Sequence, residues 1–141
     1  MDNNFVATRK RFTAIAVVLS MVSFLPQTTS AQSNSVPVLI GGEADFDACG
    51  SNGRVVGLNR AGDNFLAVRR GPASRHKMID KLHTGDDVYI CDEQGSWIGI
   101  VYGISGNQDC GVSTPVARRR AYNGRCKSGW VHKNYIAMIA G

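Results

Sequence analysis

From Arg54 onward, apolar residues recur in short alternating runs divided by turn-forming residues, a pattern that predicts β-strands. Val55 to Leu58 is the first run. Phe65 to Arg69 is the second, with Leu66 and Val68 on one face, and Gly71-Pro72 ends it. Lys77 to Leu82 leads into a turn at Thr84 to Asp87. Val88 to Cys91 sets Val88 and Ile90 on one face, and Gln94-Gly95-Ser96 turns the chain into Trp97 to Tyr102. Gly129-Trp130-Val131 and Tyr135 to Ile139 close the series. No long amphipathic helix interrupts it, so short strands at this spacing predict an all-β barrel or sandwich.

The start of the chain follows another pattern. Arg9-Lys10-Arg11 precedes an apolar run, Phe12 to Leu25, broken only by Thr13, Ser20 and Ser23. Pro26 and the small residues Thr28 to Ala31 follow. That is the order of a secretory signal peptide. The apolar run falls short of the ~20 residues a helix needs to cross a bilayer, which argues against a membrane anchor. Residues 1–31 are therefore expected to be a leader cleaved after Ala31, and the working protein to be periplasmic or extracellular without stable membrane insertion. Residues 32–53 mix polar residues, Gly41-Gly42 and acids, and read as an N-terminal arm or linker. Their patch Val36 to Ile40 could add an edge strand, though a loosely packed lead-in is the favoured expectation. Residues 54–141 form the one domain.

The four cysteines, Cys49, Cys91, Cys110 and Cys126, all follow the expected cleavage point. An even number in a small exported chain predicts two disulfides. Three pairings are open, and Cys110–Cys126 with Cys49–Cys91 is favoured because the first closes a local excursion and the second ties the entering segment to the body. No two cysteines stand two to four residues apart and His76, His83 and His132 are scattered, so zinc-ligand spacing is missing. No metal or other cofactor is expected.

At this point four pieces resemble a family. Leu66 to Pro72 resembles the "L-N-V-R-S-G-P" signature of bacterial Src-homology-3 domains. Met78 to Leu82 with Gly85-Asp86 resembles the segment that follows it, Gly95-Ser96-Trp97-Ile98 its "G-x-W-hydrophobic" strand, and Gly129 to His132 with Tyr135-Ile136 its closing "G-W-V-x-x-x-Y-L". The resemblance covers Arg54 to Ile139. It implies a five-stranded, partly open barrel used as a binding module, with Leu66, Val68, Ile79, Leu82, Val88, Ile90, Ile100 and Val131 as its core. In eukaryotic relatives the positions of Trp97, Trp130 and Tyr135 line a groove for proline-rich peptides. Here His132 stands where those domains place a groove proline, so that specificity does not carry over.

One departure is large. Residues 103–128 intervene where family members make a tight turn, and connections beyond ~15 residues are uncommon and often functional. Arg118, Arg119, Arg120, Arg125 and Lys127 fall in or beside this insert, with no acid from Arg118 to Lys133 and Tyr122 among them. Cations interleaved with aromatic rings suit anionic polymers, because charge attracts and flat rings stack; a solvated, solubilising loop is the plainer alternative. The candidate ligand-binding residues are accordingly Trp97, Arg118, Arg119, Arg120, Tyr122, Trp130 and Tyr135. Outside the cytoplasm nucleic acid is not expected. The partner expected is a cell-wall glycan or an acidic protein surface.

A nucleophile built from Cys110 or Cys126 with His132 would require a free thiol, which the disulfide expectation removes, so no catalytic residue is expected. Two function classes follow: a module that binds peptidoglycan or another anionic envelope glycan, and a secreted protein-interaction module acting on a host or competitor protein. N-terminal sequencing of exported material is expected to begin near Gln32; a start at Met1 would refute the leader.

Overall fold

The computed structural model describes residues 34–105 and 108–141; the expected leader at 1–31 lies outside them. Eleven strands occur among these residues: β1 (Leu39–Ile40), β2 (Glu43–Asp47), β3 (Ser51–Val55), β4 (Leu66–Arg69), β5 (Met78–Leu82), β6 (Asp87–Gln94), β7 (Trp97–Tyr102), β8 (Pro115–Val116), β9 (Arg120–Ala121), β10 (Lys127–His132) and β11 (Ile136–Ala140). A short 3₁₀ turn, Lys133–Tyr135, precedes the last. The fold is all-β.

Seven strands form one antiparallel sheet in the order β11-β3-β6-β7-β10-β4-β5. The seven runs read from the hydropathy pattern all contribute to it, the first displaced so that only Val55 is shared with its strand. The count is seven rather than the five that the resemblance implies. The order also dictates a curl. β5 and β6 stand four places apart, which is about 19 Å in a flat sheet. Yet only His83 to Asp86 connect them, and those four close a turn in which the Asp86 N–H bonds the His83 carbonyl. Such a turn spans under about 7 Å, so the sheet must bend until β5 returns to β6. Among the described residues no ladder joins the edge strands β5 and β11.

The concave side holds the inner core. Val55, Leu66, Val68, Leu82, Val88, Ile98, Ile100, Tyr102 and Val131 pack as one cluster, with Ile90 partly buried against it. Of the expected core, Ile79 is a correction: it is 42% exposed. β5 is an edge strand whose other residues are open to solvent too, apart from half-buried Asp80 and buried Leu82. Close packing across β10 and β4 demands Gly129, because a Cβ there would stand 2.5 Å from Val68 Cγ1.

The convex side of β6, β7 and β10 is covered as well. Here the arm and the insert build an outer layer together. β1 pairs β9, β2 pairs β8, and Cys49 and Ala48 donate backbone hydrogen bonds to Val112 and Thr114. Ile40, Ala48, Cys49, Val101, Cys110, Val112 and Cys126 form a second core beneath this layer. The expectation of a loosely packed lead-in is thereby corrected: Val38 and Ile40 are each 2% exposed. β7 has both faces buried in consequence, inner Ile98 and Ile100 alternating with outer Val101.

Both disulfides join the pairs expected, Cys49–Cys91 and Cys110–Cys126. Cys110–Cys126 lies within the outer layer, and Cys49–Cys91 ties that layer to β6 of the sheet. Intact mass of the folded protein is expected four hydrogens below the fully reduced value. Replacing Cys110 and Cys126 together by Ala should cost about 3 kcal/mol, the loop-closure worth of a link of this span; an unchanged urea midpoint would count against it.

Candidate binding groove and the basic insert

The sheet alternation decides which aromatic rings can reach a ligand. Trp97 and Trp130 lie on the same convex face, since Trp97 opposes His132 and Trp130 opposes Gly99 in the β7–β10 ladder. Their surroundings differ. Trp130 is 0% exposed and its indole N–H donates to the Val36 carbonyl at 2.8 Å. The arm seals that ring, so Trp130 is corrected from candidate ligand contact to core residue. Trp97 lies beyond the reach of the arm and is only half-buried.

Around Trp97 is a groove of about 280 Å³. His132 and Tyr135 continue its aromatic floor: the Trp97 and His132 rings meet edge to face at 5.5 Å, and His132 and Tyr135 at 6.2 Å. His132 is fixed by a cap. Its Nδ1 accepts the Asn134 N–H at 3.3 Å, which starts the 3₁₀ turn carrying Tyr135. The opposite wall is Phe65 with Leu58, Asn59, Asp63 and Asn64 from the loop before β4. Asn64 adopts a left-handed φ of 51°, a conformation Asn tolerates better than most residues. Lys81 Nζ sits 4.1 Å from the Phe65 ring centre and holds a cation over it. Two candidates, Trp97 and Tyr135, are thus brought together, and Phe65, His132 and Asn59 join them. Phe65 was legible from the pattern, because it precedes inward Leu66 and so must face outward.

The arginine run does not act as one unit. Arg119 bonds the Asp92 carboxylate at 2.5 Å, and Asp92 is the one buried charged residue among those described. Asp92 also accepts the Leu39 N–H at 3.1 Å. Arg119 is therefore a strut of the outer layer, with one guanidinium nitrogen committed to Asp92. Tyr122 is structural too: its hydroxyl donates to the Cys110 carbonyl at 3.0 Å and accepts the Cys126 N–H at 3.1 Å. Arg118 and Arg120 are exposed, Arg120 reaching Asn123 at 3.1 Å.

A further polar cluster joins β5 to β7 and β10. Lys127 Nζ at 2.8 Å and the Tyr102 hydroxyl at 3.0 Å both donate to Asp80 Oδ2. Burial pushes the Asp80 carboxyl up, but hydrogen bonds from Lys127, the Lys81 N–H and Tyr102 outweigh it, and the net shift is downward. The Tyr102 phenol is pushed up, by burial first and then by its hydrogen bond to that carboxylate.

Comparison of the chain with protein-family models, with curated proteins and with solved structures yields no match.

Arg119→Ala should destabilise the fold by about 1–3 kcal/mol, because it strips a buried carboxylate of a donor, whereas Arg118→Ala should stay within about 0.5 kcal/mol. Equal thermal midpoints for the two variants would refute the strut. For Asp80, a carboxyl held low when folded contributes stability fully above its unfolded pKa of about 3.9, and loses it as pH falls through the lower folded value. Asp80→Asn should flatten that acid limb in urea midpoints measured across it.

Proposed function

We propose that this chain is an exported, non-catalytic binding module of the bacterial Src-homology-3 type, and that its ligand is peptidoglycan or another anionic envelope glycan. The observation that carries the reading is the open groove of Trp97, His132 and Tyr135. Ring faces of this kind stack on sugars, and the neighbouring Asn59, Asn64 and Asp63 offer donors and acceptors to hydroxyl groups. The groove volume lies near the low end of the roughly 300–1,000 Å³ usual for small-ligand sites, which suits the end of a glycan better than its length. Exposed Arg118, Arg120 and Arg125 would raise the local concentration of an anionic polymer.

The barrel reading is supported by the curled, open sheet, on which all four family-like pieces fall at β4, β5, β7 and the β10–β11 corner. Export is supported by the leader pattern and by two disulfides, which persist in oxidising compartments. With both insert cysteines in a disulfide, the imagined Cys–His nucleophile has no thiol.

Retention on purified cell-wall sacculi tests the proposal. Parent protein is expected to bind, and Trp97→Ala to weaken binding by about tenfold, the loss of roughly 1.4 kcal/mol of stacking, with its salt response unchanged. Of the two tryptophans only Trp97 can sense a ligand, so parent fluorescence should shift on binding. Failure of the parent to bind would sink the glycan reading and turn attention to the protein-interaction class.

A further inference from the structure

We propose that the insert carries a second binding site, for a phosphate group, in the cavity between Arg120 and Arg125. This cavity has a volume of about 320 Å³ and shares no lining residue with the aromatic groove, so the proposal stands whether or not the groove binds a glycan. Two guanidinium-bearing residues and the Asn123 amide line it, against one acid, Asp109. One oxygen of Asp109 is already occupied, accepting the Gly111 N–H at 2.8 Å.

The walls are held before any ligand arrives. The backbone of Arg120 is fixed by its ladder to Ile40, and its guanidinium by Asn123, a contact that uses one of its five N–H groups. Arg125 directly precedes Cys126, which is tied to Cys110 by the disulfide and to the Tyr122 hydroxyl by its N–H. Gly124 lets the loop close over Tyr122, since a Cβ there would stand 2.4 Å from the hydroxyl oxygen. A backbone frame fixed in advance lowers the entropy lost on binding. Paired guanidinium forks match the charge and the geometry of a phosphate better than a single carboxylate.

The test is a titration of the oxidised full chain with inorganic phosphate, followed by amide NMR shifts. Saturable shifts concentrated on Asn123 to Cys126 are expected. Arg120→Gln and Arg125→Gln should each weaken phosphate binding by about tenfold, as expected for a lost charge-assisted hydrogen bond. Arg118→Gln removes the same charge from outside the lining and should change it less than about twofold. Asp109→Asn keeps the bond to Gly111 and should tighten binding. Both cavity arginines are exposed, so the variants should keep the parent melting temperature. Tighter binding of glucose 6-phosphate than of inorganic phosphate would identify a phosphorylated glycan as the source, and equal binding would identify the free ion. Equal losses in all three arginine variants, or an absence of saturation, would overturn the site.

Discussion

Asp92 lies beneath the outer layer with a side chain only 4% exposed, and both halves of that layer donate to it. Leu39 of the arm supplies a backbone N–H, and Arg119 of the insert supplies a guanidinium. An ion in such a place costs several kcal/mol to desolvate and is tolerated only when its oxygens are satisfied. Arm and insert therefore depend on each other. Neither can dock alone without leaving the carboxylate short of a partner, and the β1–β9 pairing that unites them runs between those same two segments.

What the outer layer covers and where it stops determines which surface stays open. Strand β7 is buried on both faces along most of its length, so its side chains are committed to packing. Only at its first residue does the cover end. There Trp97 emerges beside His132 and Tyr135, while Trp130, on the same face, is roofed by Val36. The groove is thus the uncovered margin of a sheet whose remainder has been closed over, and its floor inherits the rigidity of the β7–β10 ladder.

The inner sheet was largely legible in the sequence. Leu66, Val68, Val88, Ile100 and Val131 announce their faces by alternation, and the cysteine positions suggested both bridges. The outer layer was much less so. Glu43–Asp47 alternates acids with Ala44 and Phe46, yet every residue is exposed, so its apolar face marks no core; backbone pairing with Pro115–Val116 is what orders it. Periodicity likewise separates two faces without saying which is covered, so alternation by itself does not tell Trp130 from Trp97. The run Arg118 to Arg120 reads as uniform charge, and only the placement of Asp92 divides a strut from its solvated neighbours. Ile79 stands an odd number of residues from buried Leu82, so alternation does not give the two one face; it falls at an irregularity in the β4–β5 ladder on an edge strand and stays largely exposed.

The separation of the two cores also distributes the cysteines unevenly. The inner cluster contains none, and all four belong to the outer layer or pack against its core. The protein consequently has an inner core without sulfur and an outer layer closed and fastened to the sheet by two disulfides. In a reducing medium the curled sheet would keep its apolar contacts, while the arm and insert would lose their covalent closure. Trp130 lies at that boundary, and loosening of the arm would bring water to a ring that is otherwise dry. The buried indole is in this sense a built-in indicator of whether the outer layer is closed.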